Sequence, residues 1–215
     1  MTSGIARRRK AARDEGGAAY LERRAELVQA AAGVFREKGL SQATLNDVAD
    51  AIGGDRASLY YYFASKQELF HEVVLEAVEA NVQRAEDIHA QDLGAPEKVR
   101  ALVHALLGSY AEHYPFLYVY IQENLNQVSD DDSPWAHQMK KLNSRYDVAV
   151  VGIVEQGVEE GSFRSLTSPR ILAYGLIGML NWTHRWFNPE TFSASEVAEA
   201  YAQVLLGGLR SGPPV

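Results

Sequence analysis

A chain of 215 residues, 47% of them hydrophobic, is long enough to bury one large core or two smaller ones. It contains no cysteine, which excludes disulfides, cysteine nucleophiles and zinc ribbons and makes a reducing cytoplasm the expected compartment. The net charge of -7 argues against a protein that coats nucleic acid along its whole length. The charge is uneven, however: residues 1–66 hold 11 Lys+Arg against 8 Asp+Glu, and the remainder holds 10 against 20, so only the front suits a polyanion.

Residues 1–19 read as a flexible basic arm, with Arg7, Arg8, Arg9, Lys10 and Arg13 among small and polar neighbours. No apolar stretch follows them, so a secretory signal is not expected. Such an arm gains affinity from phosphates or reaches into a minor groove; the alternative is a solvated terminus. From Tyr20 to Lys38 a helical stripe of Leu27, Ala31, Val34 and Phe35 is closed by Gly39. Arg23 and Arg24, near its start, either face a phosphate backbone or remain solvated.

Thr44 to Lys66 is the stretch that organises the chain. Leu45, Val48, Ala49 and Ile52 fall at i, i+3, i+4 and i+7, and Thr44 with Asp47 has the spacing of a capping box. Gly53 and Gly54 permit a tight turn, Asp55 suits the N-cap of a second helix, and Leu59, Tyr62 and Phe63 are expected inward on it. This is helix-turn-helix spacing. The outward residues Arg56, Ala57, Ser58, Tyr60 and Tyr61 combine a guanidinium, small groups and phenols, a face suited to a major groove, while Thr44 and Lys66 are expected to hold phosphates. Ser65 and Glu68 make a second S-x-x-E box that starts the next helix.

The order T-[LV]-x-D-[IV]-A, glycine turn, x-L-Y-Y-Y-F-x-S-K-x-x-L resembles the DNA-binding domain of the TetR family of bacterial transcriptional regulators, specifically over Leu27 to Phe70. Where the family turn reads G-V-S-x-G, this chain has Gly53-Gly54-Asp55-Arg56-Ala57, so the resemblance does not carry an operator sequence. It implies an all-α protein of about nine helices: a three-helix helix-turn-helix domain over 20–66 and a larger ligand-binding and dimerisation domain over 67–215.

After Lys66 a helix is expected to about His89, with Leu69, Phe70, Val73, Val74, Ala77 and Val78 buried and Glu72, Glu76, Glu79, Arg84 and Glu86 outward. Joining the two domains, it is the expected transmission element. A loop over Gln91 to Pro96 precedes a helix from Glu97 to His113, and Pro115 marks another over Tyr114 to Gln127. This pair carries more polar-tipped residues than packing requires, among them His104, Tyr110, Tyr114, Tyr118, Gln122 and Asn126, which suits a cavity with a few hydrogen-bonding groups. The acidic turn Ser129 to Pro134 lacks calcium-loop spacing, and His104 and His113 lack zinc-pair spacing, so no metal and no cofactor are expected.

Pro134 to Glu160 is the longest periodic segment, with Trp135, Met139, Leu142, Tyr146, Val150 and Ile153 inward and a basic patch of Lys140, Lys141 and Arg145. A helix over Ser168 to Trp186 places Ala173, Gly175 and Gly178 among large aliphatics, and Ser193 with Glu196 starts a last helix to Leu209 with Val197, Tyr201, Val204 and Leu205 inward. The first of these is too short an apolar run for a membrane span. Small residues in a helix suit a close partner, and the family resemblance implies that Ala173 to Leu180 and Val197 to Leu209 pair with a second copy as a four-helix bundle. An intramolecular core is the alternative.

Asn181 to Pro189, N-W-T-H-R-W-F-N-P, together with Y-x-Y-x-Q-E upstream, is similar to a TetR subgroup that regulates fatty-acid, steroid or aromatic-acid breakdown and senses acyl-coenzyme A thioesters. Arg185, Lys140, Lys141 and Arg145 would meet phosphates and Trp182 or Trp186 would stack on adenine; the alternative is a helix end anchored by tryptophan packing. The ligand-site candidates are thus Tyr114, Tyr118, Gln122, Asn126, Tyr146, Trp182, Arg185 and Trp186. No P-loop, G-x-S-x-G, H-E-x-x-H or dinucleotide fingerprint is present, so an enzyme is not expected. The expected function is a repressor that binds a palindromic double-stranded DNA operator as a homodimer and is released by a small hydrophobic or acyl-coenzyme A effector. Alternatives are a repressor of an efflux or other gene answering a free lipophilic compound, and a ligand-independent DNA-binding regulator.

Overall fold

The computed structural model describes residues 17–54, 56–114, 117 and 133–209, with the backbone alone at Arg56 and Ala57. Among these are eight α-helices and one 3-10 helix, and no β-strand. The helices are α1 (Ala18–Lys38), α2 (Leu45–Ala51), α3 (Arg56–Tyr62), α4 (Lys66–Ala90), α5 (Ala95–Glu112), α6 (Pro134–Glu159), α7 (Pro169–Asn181) and α8 (Ala194–Leu209), with the 3-10 helix Trp182–Arg185 directly after α7. The chain divides into two compact units, Met1–Glu76 and Ala77–Val215. The basic cluster of the arm, Asp55, Tyr118, Gln122 and Asn126 lie outside the described residues.

In the first unit the local signals act as their chemistry predicts. The Thr44 N–H donates to Asp47 Oδ2 at 2.8 Å while Thr44 Oγ1 accepts the Asp47 N–H at 3.2 Å, so the box satisfies two orphan donors of α2. α2 ends where Gly53 takes φ +63°, with Gly53 N–H donating to Asp50 O and Gly54 N–H to Ala49 O. That crossed pair is the Schellman arrangement, and its left-handed residue strongly favours glycine. Leu27, Phe35, Val48, Leu59, Phe63 and Phe70 are the heart of the core, with the Phe35 and Phe70 rings edge to face at 6.0 Å. At the second box, Ser65 Oγ caps the Glu68 N–H, but Glu68 Oε2 accepts from Ala64 rather than Ser65.

In the second unit α8 packs on α5, and α6 on α7 and α5. Leu102, Leu107, Met139, Ile153, Leu176 and Leu180 are fully buried between them. Gly157 of α6 is required by a close approach: a Cβ there would lie 2.1 Å from the Phe163 ring. α5 starts at Ala95 rather than Glu97, because Pro96 fits a first turn, where its missing N–H is not needed. On α4, Val78 is half-buried rather than buried.

Two further expectations are corrected here. α7 does not continue as an α-helix to Trp186. Thr183 Oγ1 donates to Leu180 O at 2.7 Å and His184 Nδ1 lies 2.7 Å from Asn181 O, so side chains take carbonyls of the last turn and the helix tightens to 3-10. On α8 the buried line is Ala198, Ala202, Leu206 and Leu209, whereas Val204 is 64% exposed and Val197, Tyr201 and Leu205 are half-buried. Ala198 and Ala202 permit the close packing on α5, and the same face then buries Leu206 and Leu209, which leaves Val197 and Leu205 on the flanks and Val204 outward.

Candidate functional site

The helix α3, second of the helix-turn-helix pair, is only seven residues long and would not hold its shape alone. Leu59 and, just beyond its end, Phe63 are buried in the first unit. They are four residues apart, so they define one face, and Ser58 and Tyr61 are thereby presented to solvent, with Tyr60 half-buried. Tyr62, expected inward, is half-buried instead: its ring stacks on Tyr20 of α1 at 4.9 Å and stands edge-on to Tyr61 at 5.1 Å.

The flanking cations are engaged within the protein. Lys66 Nζ donates to the carbonyls of Leu40 at 2.6 Å, Ala43 at 2.9 Å and Ser41 at 3.3 Å. An ammonium has three N–H groups, so this one is committed to the turn between α1 and α2 rather than poised for a phosphate. Arg24 pairs with Glu72 at 2.6 Å and lies over the Phe63 ring at 5.0 Å. Arg23 pairs with Glu26, and Lys38 reaches Asp47 at 2.7 Å. The Lys38 ammonium beside Asp47, followed by the Thr44 contacts, holds that carboxyl at about 2, down from 3.8. Thr44 itself is exposed at the start of α2, its hydroxyl held by Asp47.

In the second unit the predicted ligand residues fall into separate places. The Tyr146 hydroxyl is buried without a hydrogen-bond partner, and burial pushes its ionisation well above the ordinary 10.0. It borders a small cavity with Asn81, Arg84, Ala85, Leu102, Ala105 and Leu106. Trp182 is 61% exposed, with the Arg185 guanidinium over its ring at 5.2 Å. Trp186 turns instead into an aromatic corner, edge-on to Phe192 at 5.4 Å and to Tyr201 at 6.3 Å. Tyr114 is half-buried just after α5. Arg145, grouped with Arg185 on the sequence, instead makes a two-point bond with Glu86 at 2.9 and 2.6 Å.

Sequence reasoning overlooked Tyr20, although it stands seven residues before Leu27 on the buried stripe of α1. Tyr110, expected to present a polar tip to a cavity, instead donates its hydroxyl to Asn181 at 2.8 Å and ties α5 to the end of α7. No signal of spacing links residues so far apart. Among the described residues no cluster of His, Asp or Glu is disposed to hold a metal, and no helix is long and apolar enough to cross a membrane.

A capped short helix, a Schellman turn and a second short helix anchored by its inner face define a helix-turn-helix DNA-binding transcriptional regulator. The family model for "Bacterial regulatory proteins, tetR family" matches residues 27–73, and that for "Tetracyclin repressor-like, C-terminal domain" matches residues 92–209. The chain belongs to the TetR family of transcriptional regulators, as its sequence resemblance implies. It is 30% identical over 189 residues to the HTH-type transcriptional repressor KstR2 of Mycobacterium tuberculosis, covering 87% of this chain and 92% of that one. The solved structure of the ketosteroid transcriptional regulator KstR2 of that organism superposes with a TM-score of 0.72 at 27% identity, covering 88% of this chain and 96% of the other. The TetR family regulator PfmR from Thermus thermophilus gives a TM-score of 0.70 at 30% identity, with 86% and 99% covered.

Proposed function

We propose that this protein is a homodimeric repressor that binds a palindromic operator and is released by an acyl-coenzyme A thioester effector. The observation that carries the reading is the orientation of α3: Leu59 and Phe63 anchor one face, leaving Ser58 and Tyr61 to the solvent side. Arg56, Ala57, Ser58, Tyr60 and Tyr61 read the groove, Thr44 adjoins a phosphate, and the basic arm adds non-specific attraction. Residues 20–66 do the reading, and residues 67–215 take the effector and the second copy.

Support for the dimer comes from the outer face of α7 and α8. Ile171 is 60% exposed, and Tyr174, Gly175 and Gly178 continue its stripe along one side of α7. A Cβ at Gly175, Gly178, Gly207 or Gly208 would meet nothing within 4 Å, so the protomer's own packing does not demand these glycines. Each costs a helix about 1 kcal/mol relative to alanine, and close approach of a second copy explains their presence. A single short reading helix also needs a partner to reach useful affinity.

Support for the coenzyme A part comes from Trp182 and Arg185, an exposed aromatic face beside a cation, and similarity to a protein named as a ketosteroid transcriptional regulator supports a hydrophobic part. Effector binding favours a conformer in which the two readers no longer match the operator, and DNA is released by population shift. A second reading, release by a free lipophilic compound, draws on Tyr146, whose buried hydroxyl lacks a hydrogen-bond partner; the cavity beside it, about 10 Å³, has room for no more than a water, so such a compound has to open it on binding.

The test is release from a duplex that the protein itself selects from a randomised library, titrated with acyl-coenzyme A thioesters, free acids and lipophilic cations. Release by thioesters alone, blunted in Arg185→Met while DNA binding persists, supports the first reading. Release by free lipophiles with thioesters inert removes the coenzyme A part and favours the second, and release by none favours a ligand-independent regulator.

A further inference from the structure

The first two turns of α1 are spent on the reading helix rather than on the core. The Tyr20 ring stacks on Tyr62 at 4.9 Å and 27° and stands edge-on to Tyr61 at 5.9 Å and 80°. One turn later Arg24 covers the Phe63 ring at 5.0 Å and is itself held by Glu72 of α4. Between them Arg23 lies beside the turn that precedes α3, its Nη2 3.7 Å from where a Cβ on Gly54 would stand. Tyr20 thus packs on the end of α3 and Arg24 on the residue just after it, while Arg23 lies beside the turn before it. Tyr20, Arg23 and Arg24 all precede residue 27, where the match to the family's DNA-binding model begins.

A seven-residue helix has too few internal hydrogen bonds to fix its own axis, so what packs against its ends decides where its outward side chains point. Leu59 and Phe63 hold its inner face, but rotation about that line is limited only by contacts on the flank, and the flank of α3 at Tyr61 and Tyr62 is met by Tyr20. Paired rings of this geometry resist rotation because offset-stacked and edge-on arrangements are favoured over others.

We propose that Tyr20 is a positioning residue for DNA reading, an aromatic brace that sets the angle of α3 by packing on Tyr61 and Tyr62 without contacting DNA, with Arg24 closing the brace over Phe63. This rests on the assignment of α3 as the DNA reader. Misplacing the reader by even a small angle penalises base-edge contacts, which need direction, far more than phosphate attraction, which does not. Tyr20 therefore governs the ratio of specific to non-specific binding.

The experiment compares the full chain with Tyr20→Leu and Tyr20→Phe on two duplexes, one selected by the unaltered protein from a randomised library and a scrambled one of equal composition, across a series of salt concentrations. Tyr20→Leu is expected to bind the selected duplex about tenfold more weakly, as loss of two ring pairs implies. Its affinity for the scrambled duplex and its slope of log affinity against log salt stay unchanged, and Tyr20→Phe restores selective binding. Equal weakening on both duplexes, with the slope reduced by about one, would make Tyr20 a phosphate contact and overturn the proposal. So would full selectivity in Tyr20→Leu, or a Tyr20→Phe variant as impaired as the leucine one, which would assign the effect to the hydroxyl. If Tyr20→Leu loses its helical signal, Arg24→Met decides: the same selective loss supports the brace, and unchanged selectivity overturns it. Failure of the unaltered chain to enrich any duplex refutes the DNA-reading assignment and the brace with it.

Discussion

Replacing Lys66 with Met keeps an apolar stem of nearly the same length and removes the ammonium that gathers three carbonyls of the α1–α2 turn. Two of those bonds, to Leu40 O at 2.6 Å and Ala43 O at 2.9 Å, are partly buried, and the third, to Ser41 O at 3.3 Å, is exposed. A hydrogen bond to a charged group contributes about 1.5–3 kcal/mol net. Water can rehydrate part of this turn, since Ser41 is exposed and Leu40 half-buried, so the low end applies to the two inner bonds and little to the third. A loss of about 3 kcal/mol follows, which for a chain of this size is a fall in melting temperature of about 6–12 °C. The assay is thermal unfolding by circular dichroism, paired with the salt dependence of binding to the selected duplex. The slope should be that of the unaltered protein, because no phosphate partner is lost. A slope lower by about 0.9 with an unchanged melting temperature would refute the reasoning and return Lys66 to the DNA backbone.

Gly157→Ala should destabilise the second unit by about 1–3 kcal/mol, since its Cβ would lie 2.1 Å from the buried Phe163 ring; a melting temperature equal to or above that of the unaltered protein would count against the packing described. Asp47 titrates at about 2 when folded against 3.8 ordinarily, so the unfolded chain takes up its proton first. Its contribution is therefore present above about pH 4 and fades as pH falls through 2. The melting difference between the unaltered protein and Asp47→Asn should shrink across that window, and a difference that stays constant would sink the assignment. Ile171→Asp places a charge in the open stripe of α7 and should give a monomer by sedimentation with little change in helicity; a persistent dimer would move the interface elsewhere.

Much of this protein was legible because its signals are local. The Thr44–Asp47 box, the glycine turn and the stripe of Leu45, Val48 and Ala49 act within one or two turns of chain, where spacing determines geometry. The paired motif and the order of helices then follow, and the family with them. What spacing could not tell is which distant group a side chain would meet. The sequence marks Lys66 and Arg145 as cations in suggestive company, but Lys66 is claimed by carbonyls up to 26 residues away and Arg145 by Glu86, 59 residues away. The buried face of α8 was likewise misplaced, because an apolar residue and a small one can both point inward and the packing partner chooses between them. There α5 approaches the alanine line Ala198 and Ala202, and Val204 is left outside. Trp182 and Trp186 are near neighbours in sequence and both reach solvent, yet one lies under Arg185 and the other stands edge-on to Phe192 and Tyr201. Sequence alone determined the helix-turn-helix, the Thr44–Asp47 cap and the order of the described helices, since those depend on residues within a few positions of each other. Tertiary structure decided which charges are already paired and how the reader is braced, since those depend on contacts between distant residues that only the folded chain brings within reach.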